Sequence, residues 1–497
     1  MSIQKDFYKR FGLNDNPFST FTSENENNIF DKLFISPNNY DSIIENFNNG
    51  NSIILTGDRG TGKTAVIKDI ISKKNNNLVT ALITDYSDLP QNYTLHELYK
   101  FIISNISFSL FTILAEDTRR IKHLNKENKL LLCYLLKNFL PQISKSHLKD
   151  QITKIQIPLY KRVYKNCEKI FRGVFNYGAT VGSSIVDEYI AKHFTGMPPL
   201  SESVKIKDFF PELPINVDED FEDQDITYNL LKRISTLVLN LGYNRTIIIF
   251  DKVDEDSRFV NDAEEISEFI LPILSDNKLL LEDSIQVVFS TWVTPFNFIK
   301  SKVRTQKHYC PNLSWSKEDL EKVLNQRLNV FSDNKLNNYK SLFYEDVTEE
   351  DFEEIFNLSN RNPRDLWHIF SALFNSQFNK DNNASKIMKN AFEDALVNFV
   401  TTFNYYEYYP RKSNARANSM DIYSYAKHLL KLDSEIFTKN QLNEKAQTGG
   451  STNNYVVGME KIGLIGIESQ KGGVVSYKIK DNKIVFALRN QLEIRKD

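Results

Sequence analysis

The stretch Gly57-Asp58-Arg59-Gly60-Thr61-Gly62-Lys63-Thr64 matches the pattern G-x-x-x-x-G-K-[S/T] at every defined position. An apolar run at 52–56 precedes it, as expected of a short buried strand, and apolar side chains recur at helical spacing from 65 to 71. Glycines in such a loop let successive backbone N–H groups turn inward around phosphates, and the N-terminus of the following helix adds its positive dipole end. The stretch therefore predicts a phosphate-binding loop between a strand and a helix.

The same pattern gives the loop residues their expected roles. We expect the whole stretch from Gly57 to Thr64 to bind the nucleotide, with Lys63 reaching the β- and γ-phosphates as a catalytic residue. The Thr64 hydroxyl is a candidate ligand of Mg²⁺, an ion that prefers oxygen ligands and is often shared with phosphates. ATP with Mg²⁺ is the cofactor that this chemistry predicts.

A metal ion bound to phosphates also needs an acidic residue at the end of a neighbouring strand. Asp251 ends the apolar run 247–250, where a buried strand delivers a carboxylate to the carboxyl edge of a parallel sheet. Taken alone, an aspartate after a strand is also typical of a turn or a helix cap. Beside this phosphate loop, Asp251 is the predicted metal ligand.

Further apolar runs at 78–83, 246–250 and 285–291 alternate with helical patterns, which is typical of a parallel sheet. The predicted fold class is an α/β P-loop core, a parallel sheet flanked by helices, with a helical insertion, a helical lid and a C-terminal winged helix. The boundaries expected are a first core part at 1–94, the insertion at 95–200, a second core part at 201–315, the lid at 316–405 and the winged helix at 406–497.

The winged-helix prediction depends on the element order near the end of the chain. From Tyr423 onward the pattern indicates two helices, a turn and a third helix at Ser451–Ile462. Two strands are expected to follow, Val474–Ile479 and Ile484–Leu488, flanked by glycines and by Asp481-Asn482.

Composition excludes several classes of protein. The 497 residues are 41% hydrophobic and 25% charged, with a net charge of -2, which is ordinary for a globular protein and gives no global attraction to nucleic acid. The start of the chain lacks the apolar core of a signal peptide, and no stretch approaches 18 consecutive apolar residues, so we expect a cytoplasmic protein that does not enter a membrane. The cysteines, Cys133, Cys167 and Cys310, lie too far apart to predict a zinc site.

With these elements in place, the chain resembles the AAA+ and STAND-like ATPases, including their KAP-type and initiator-type branches and the type associated with bacterial defence. The resemblance is carried by the loop 57–64 and by Asp251-Lys252-Val253-Asp254-Glu255, and extends over about 11–374 without the insertion. Many AAA+ proteins have a glutamate directly after the metal aspartate, where this chain has Lys252. The D-x-x-D-like pattern of STAND and KAP relatives matches Asp251 and Asp254 better.

The resemblance implies further site residues. Asp254 or Glu255 would orient the attacking water, with slow or absent hydrolysis as the alternative. Ser290 and Thr291 end the next strand, where AAA+ proteins place a polar sensor of the γ-phosphate, and Thr291 is the sensor we expect.

A second implied residue lies at the opening of a helix. The run Arg361-Asn362-Pro363-Arg364 resembles the G-x-P-R helix opening of initiator-type proteins without its leading glycine, and implies that Arg364 reaches the γ-phosphate from the lid. Arg304 and Arg327 lie where AAA+ proteins often carry an arginine finger for a neighbouring subunit, although either is also typical of a surface arginine.

Several patches predict partners. The stretch from Lys145 to Arg172 is basic and includes Tyr160 and Tyr164, which are able to stack on bases, although a solvated helix face gives the same pattern. Residues 408–416 form a second basic loop. The terminal unit from 421 to 497 has 12 Lys and Arg against 9 Asp and Glu, a surplus too small to choose between DNA contact and protein docking.

The function predicted is an ATP-hydrolysing switch or motor, acting as a homo-oligomer with a partner effector protein and without a membrane. By the resemblance, its setting is bacterial antiviral defence. The alternatives are an ATP-regulated DNA-binding protein of initiator type, which uses the winged helix, and a scaffold that binds ATP without hydrolysing it.

Overall fold

A computed structural model of the chain describes residues 3–26, 28–73, 77–117, 119–125, 128, 131–132, 135, 139, 224–411, 420–471 and 473–495. Most of the predicted insertion and the acidic connection after it lie outside these ranges. The basic stretch from Lys145 to Arg172, with Tyr160 and Tyr164, is therefore outside the described residues, as are Cys133 and Cys167 and most of the basic loop 408–416.

Four parallel strands form the central sheet, in the order β1-β4-β3-β2. They are β1 (Ile53–Gly57), β2 (Val79–Ile83), β3 (Thr246–Phe250) and β4 (Ile285–Trp292). The apolar runs identified in the sequence are these strands, and the prediction of a parallel α/β core is confirmed. All residues of β1, β3 and β4 are buried, as expected of strands covered on both faces.

Helices cover both faces of the sheet. Those from the start of the chain to the end of β4 and just beyond are α1 (Ile3–Arg10), α2 (Phe30–Leu33), α3 (Tyr40–Asn48), α4 (Lys63–Ser72), α5 (Leu95–Glu116), α6 (Arg119–Lys122), α7 (Gln224–Asn240), α8 (Ala263–Ser275), α9 (Asn277–Leu280) and α10 (Val293–Ile299). Ile247 and Ile249 face the side of α3 and α4, while Ile248 and Phe250 face the side of α5, α7 and α8. The alternation along β3 thus builds two separate apolar layers.

The outer edge of β1 is covered by the segment 309–313. The backbone N–H groups of Ile54 and Thr56 donate to the carbonyls of Tyr309 and Pro311, each at 2.9 Å. The N–H of Leu313 returns a bond to the carbonyl of Thr56 at 2.7 Å. The strand that leads into the phosphate loop is therefore hydrogen-bonded on both sides.

Helix α5 opens the predicted insertion but packs on the core. It carries a stretch, Leu95–Leu114, that is long and apolar enough to cross a membrane, and 72% of that stretch is buried inside the protein. It lies against β2 and α7, and its apolar residues belong to the cluster on that face of the sheet. Such burial is typical of the core helix of a globular protein.

A second group of helices follows the sheet. They are α11 (Lys317–Phe331), α12 (Glu349–Leu358), α13 (Pro363–Lys380) and α14 (Lys389–Thr401). As the sequence predicts, Asn362-Pro363 opens a helix: the Asn362 side chain accepts a hydrogen bond from the N–H of Arg364 at 2.9 Å, and Pro363 stands at the first helical position.

The C-terminal unit contains α15 (Ile422–Leu429), β5 (Ile436–Thr438), α16 (Lys439–Ala446), α17 (Thr452–Lys461), β6 (Ile465–Lys471), β7 (Val474–Ile479) and α18 (Asn482–Arg489). Its antiparallel sheet has the order β5-β7-β6. The prediction of a strand at Ile484–Leu488 is wrong, because these residues lie in α18. Asp481 caps that helix through the N–H groups of Lys483 at 2.8 Å and Ile484 at 3.4 Å, and the hairpin partner of β7 is β6 instead.

The second group of helices and the C-terminal unit share one hydrophobic core. The N-terminal helix α1 joins it, with Phe7 against Phe374 and Phe378, and Phe18 lies against Trp367. The boundary expected at 405/406 thus lies inside a continuous core. We refer to 317–489 as the helical body, since its parts are packed together.

A candidate nucleotide site at the phosphate loop

The phosphate loop follows β1 and turns sharply into α4. Gly60 and Gly62 have φ of +80° and +92°, a left-handed conformation that favours glycine. The Thr61 hydroxyl donates to the carbonyl of Asp58 at 2.8 Å, and the indole N–H of Trp315 donates to the carbonyl of Thr61 at 2.8 Å. Gly62 gives α4 no side-chain cap, so its first N–H groups remain available for an anion.

Lys63 lies across this loop. Its ammonium donates to the carbonyls of Gly57 and Asp58, each at 2.9 Å. Burial lowers the pKa of Lys63, and the nearby carboxylates of Asp254 and Asp251 act in the opposite direction. A half-buried cation held by two neutral carbonyls is well placed to exchange them for phosphate oxygens.

Thr64 and Asp251 form the candidate metal site. The Thr64 hydroxyl donates to Asp251 Oδ2 at 2.8 Å. The Tyr86 hydroxyl donates to the backbone carbonyl of Asp251 at 2.9 Å and so holds the backbone of this residue in place. Burial raises the pKa of Asp251, against the influence of the Ser290 and Thr64 hydroxyls. In the described ranges no group of three or more His, Cys, Asp or Glu residues is arranged for a metal. Two oxygen ligands fit Mg²⁺, which binds one or two protein groups plus phosphates and water.

The acidic turn after Asp251 is shaped by Lys252, which has a φ of +63°. It brings Asp254 onto Arg59 of the phosphate loop: Arg59 Nε lies 2.8 Å from Asp254 Oδ2, and Arg59 Nη2 donates to the carbonyl of Asp254 at 2.6 Å. Burial alone raises the pKa of Asp254, but the charges of Arg59 and Lys63 outweigh it and leave that pKa lowered. Glu255 is exposed, with Lys252 Nζ at 3.7 Å from its carboxylate.

The two sensor candidates at the end of β4 have different surroundings. In the sheet register Phe250 pairs with Phe289, so the next residues, Asp251 and Ser290, lie side by side. Thr291 is fully buried, and its hydroxyl lies 3.4 Å from the carbonyl of Trp292. Ser290 is therefore the polar side chain of β4 beside Asp251, the candidate metal ligand, and Thr291 lies away from the cavity described below.

The opening of α13 touches the phosphate loop directly. The Asn362 side-chain amide donates to the carbonyl of Arg59, and a Cβ placed on Gly60 would come within 2.6 Å of Asn362 Oδ1. Arg361 stands where the G-x-P-R pattern has glycine, and its φ of +56° is in the left-handed region that favours glycine. Arg364 points toward the site and lies 3.7 Å from Glu407.

The arginine-finger candidates are also placed by the structure. Arg327 is 4% exposed and donates to Glu26 and to the carbonyl of Thr20, with its guanidinium over the ring of Trp367. A side chain engaged in this way does not reach a neighbouring subunit. Arg304 is exposed, next to the short turn Thr305–Lys307.

Most of the predicted site residues line one cavity of about 220 Å³, and Gly57, Asp58, Thr61 and Thr291 do not. Lys63, Thr64, Asp251, Asp254 and Arg364 all line it. Its other walls are largely apolar and aromatic and come from Phe21, Phe30, Leu33, Phe34, Ile35, Pro37, Val323 and Trp367. Sequence reasoning missed this N-terminal wall, whose signal is the aromatic cluster between 21 and 34.

A larger cavity of about 1030 Å³ adjoins the first, and Arg59, Asp254, Glu255 and Arg364 belong to the walls of both. The acidic turn and the opening of α13 thus separate the loop from an open groove along α13 and α14. The fold and this loop geometry define the chain as a protein with an α/β P-loop core.

No family model and no curated protein matches the chain. Among solved structures, a Walker-type ATPase of Pyrococcus abyssi is 13% identical, with 90% of this chain and 94% of that chain covered and a TM-score of 0.41. The ORC2 protein of Aeropyrum pernix in its ADPNP–ADP complexes is 10% identical, with 92% and 95% covered and a TM-score of 0.39. The ORC1 protein of Aeropyrum pernix in complex with DNA is 10% identical, with 92% and 93% covered and a TM-score of 0.32.

Proposed function

We propose that this protein binds and hydrolyses ATP with Mg²⁺ and uses the nucleotide as a switch, in the manner of the AAA+ and STAND-like ATPases that its motifs resemble. The observation that carries the proposal is the convergence of Lys63, Thr64, Asp251 and Arg364 on one cavity at the phosphate loop. These residues come from three separate parts of the chain, the loop at 63–64, the end of β3 and the start of α13, and each has the chemistry that a triphosphate requires.

Binding follows from the walls of the cavity. The apolar and aromatic side chains between 21 and 37 suit the flat, apolar base, while the loop amides and Lys63 suit the phosphates. Thr64 and Asp251 would hold Mg²⁺, which supplies charge neutralisation on the phosphate oxygens when it is bound. Lys63 leaves the loop carbonyls and donates to the phosphates.

Hydrolysis requires a base for the attacking water and cations for the γ-phosphate. Both Asp254 and Glu255 line the cavity, and Asp254 is the carboxylate assigned to the water, because its side chain is 8% exposed and is held against the loop by Arg59, whereas that of Glu255 is 56% exposed. Arg364 reaches the cavity from the first turn of α13. The residue after the metal ligand is Lys252, so the base comes from the position three residues after Asp251.

The helical body then transmits the nucleotide state. Asn362 joins the loop to α13, and the first turn of that helix carries Asp365, which forms a buried ion pair with Lys483 of α18 at 2.9 Å. Because α13 and α18 share a core, a displacement of α13 carries the C-terminal unit with it. We propose that this movement, as in a lid, opens or closes the site.

A substitution of Lys63 tests the proposal. Lys63→Ala is expected to abolish ATP retention and phosphate release, because it removes the cation of the loop. Lys73→Ala, at the exposed end of the same helix, is the matched control and should retain both. Equilibrium binding of labelled ATP and steady-state phosphate release are measured for both variants. Equal ATP binding by wild type and Lys63→Ala would contradict the proposal, and binding without release would indicate the non-hydrolysing scaffold.

The same proposal includes the binding partner, the cellular setting and the oligomeric state. The C-terminal element order suits a winged helix, and its hairpin exposes apolar Ile467 and Val474, 55% and 57% exposed, which favours a protein partner over duplex DNA. By the resemblance stated above, that partner is an effector protein, the setting is cytoplasmic antiviral defence, and the chain acts as a homo-oligomer. Duplex binding that appears with ATP and falls steeply as salt rises would favour the initiator-type alternative instead.

A further inference from the structure

Arg59 is an arginine within the phosphate loop itself. Its guanidinium is held between two groups, the carboxylate of Asp254 on one side and the ring of Trp292 on the other, with its Cζ 4.5 Å from the ring centroid. Trp292 is fully buried at the end of β4, so the ring is a fixed platform. The side chain of Arg59 is 14% exposed.

Two of the three guanidinium nitrogens of Arg59 are hydrogen-bonded, and the third is available to bind a ligand. Nε and Nη2 are engaged by the side chain and the carbonyl of Asp254, at 2.8 Å and 2.6 Å. Nη1 makes no hydrogen bond within the part of the chain that the structure describes. Arg59 also lines both cavities, next to Lys63 and Asp254. A guanidinium with a free donor at the wall of a phosphate site is able to bind an anion there.

The other arginines at this cavity are used differently. Arg327 is buried and paired with Glu26, and Arg364 lies on the helical body, so its distance to the loop depends on where that body lies. Arg59 is covalently part of the loop and remains beside the phosphates in every position of the helical body. Among the arginines of this cavity, Arg59 is thus the one whose placement depends least on the position of the helical body.

We propose that Arg59 is an arginine finger supplied in cis, which moves from Asp254 to the γ-phosphate when ATP is bound; the inference rests on the function proposed above. In the state described here the two side chains neutralise each other. When Arg59 turns to the γ-phosphate, Asp254 is released to accept a proton. The same movement of Arg59 thus places the cation at the γ-phosphate and frees Asp254 to act as the base.

The chemical step balances with these groups. The water oxygen forms a bond to the γ-phosphorus, and the bond from that phosphorus to the β,γ-bridging oxygen breaks, with its electron pair leaving on ADP. Asp254 accepts the proton of the water and afterwards gives it up to the released phosphate or to solvent. Arg59 donates hydrogen bonds to the γ-phosphate oxygens throughout, where negative charge is concentrated.

The test is steady-state ATP hydrolysis by the full-length chain. Arg59→Ala is expected to lower kcat by about 10³-fold, the lower end of the effect of an arginine finger, while the Kd for ATP changes by less than about threefold. Arg119→Ala is the matched control, because Arg119 forms an ion pair with Asp117 at the same 2.8 Å but at the surface, and its kcat should equal that of wild type.

Chemical rescue of Arg59→Ala by free guanidinium distinguishes a catalytic role of Arg59 from a structural one. Guanidinium chloride at a sub-denaturing concentration should restore at least tenfold of the activity of Arg59→Ala, because the cavity left by the side chain admits the free cation, and it should restore none to Lys63→Ala. The inference is overturned if Arg59→Ala keeps its kcat within about threefold of wild type, if guanidinium restores nothing, or if Arg304→Ala causes the loss instead.

These outcomes are distinguishable from a failure of the proposed function. If wild-type protein neither retains ATP nor differs from Lys63→Ala, the nucleotide site itself is wrong. If wild type binds and hydrolyses ATP in a Lys63-dependent way and Arg59→Ala behaves like Arg119→Ala, the proposed function stands and only the role of Arg59 falls.

Discussion

Two ion pairs in this molecule are built alike and placed in opposite surroundings. Arg59 and Asp254 meet at 2.8 Å at the wall of the nucleotide cavity. Lys483 and Asp365 meet at 2.9 Å inside the helical body, where their side chains are 0% and 4% exposed. The first pair lies beside Lys63 and the candidate phosphate site, and we propose that it exchanges partners there. The second is enclosed by Phe403 and Tyr408, whose ring centroids lie 4.4 Å and 4.7 Å from the lysine nitrogen.

The comparison shows that two adjacent residues at the start of one helix make contacts with different parts of the molecule. Arg364 and Asp365 are adjacent in the first turn of α13, yet one lines the nucleotide cavity and the other is fixed to α18. A buried pair is costly to separate, because each charge left alone has lost its water. The enclosed pair therefore joins α13 to the C-terminal unit, and under the proposal it stays intact while the pair at the cavity changes partners.

The largest effect is expected from breaking the enclosed pair. Lys483→Met leaves the Asp365 carboxylate buried without its cation, which should lower the free energy of unfolding by about 3–5 kcal/mol. Urea unfolding measures the change, with Lys480→Met, an exposed lysine two residues before α18, as the control. Pairing Lys483→Met with Asp365→Leu should recover much of the loss. Equal unfolding midpoints for Lys483→Met and Lys480→Met would show that the pair does not join the two parts.

The next effect concerns the contact between α13 and the phosphate loop. Asn362→Ala removes the cap of α13 and the amide that donates to the Arg59 carbonyl, so we expect a loss of about 1–2 kcal/mol in the free energy of unfolding. Asn338→Ala, which caps the distant turn Tyr339–Leu342, serves as the control. The two are compared by thermal unfolding with and without ATP. The stabilisation by ATP should fall in Asn362→Ala alone, and an equal fall in both would count against the contact.

A smaller effect depends on pH. Burial raises the pKa of Asp351, but its hydrogen bonds from Lys389 at 2.5 Å and from the N–H of Thr348 at 2.8 Å leave that pKa lowered. A folded-state pKa below that of the unfolded chain stabilises the protein above the unfolded pKa, and the contribution is lost as pH falls through the folded value.

Lys389→Met should therefore cost about 1 kcal/mol at pH 7 and flatten the fall of stability below about pH 4. Unfolding midpoints measured across that range for wild type and Lys389→Met check the expectation. Parallel curves for the two proteins would mean that Lys389 does not set the pKa of Asp351.

The smallest expected change is an increase in the free energy of unfolding. Arg361→Gly removes a side chain from a backbone with a φ of +56°, and should raise the free energy of unfolding by about 1 kcal/mol. Asn360→Gly, at a φ of +50°, should gain less, because asparagine tolerates this conformation better than arginine does. Thermal unfolding compares the two. Destabilisation by Arg361→Gly would mean that the arginine side chain makes a contact worth more than the strain.

Much of the core was predictable because its signals are local. The loop 57–64 has a fixed spacing, and an apolar run fixes the strand that ends at Asp251. The strand prediction for Ile484–Leu488 failed because five apolar residues fit either a strand or one face of a helix, and the cap at Asp481 decides between them.

What the sequence did not reveal is long-range pairing. Arg59 and Asp254 are 195 positions apart, and no spacing rule connects a variable loop position to an acidic turn. Their contact arises because parallel strands end at the same edge of a sheet. The core shared by α13 and α18 was hidden for the same reason, since each helix shows an ordinary apolar face and gives no sign of which face it meets.

The segment 309–313 alongside β1 has a consequence for assembly. Open strand edges recruit strands from other molecules, but here the backbone groups of the loop-bearing strand are already used. Two copies of this chain therefore cannot associate by adding a strand to the outer edge of β1. The strand that positions the phosphate loop thus has its backbone groups paired within one chain, whatever other surfaces a second copy contacts.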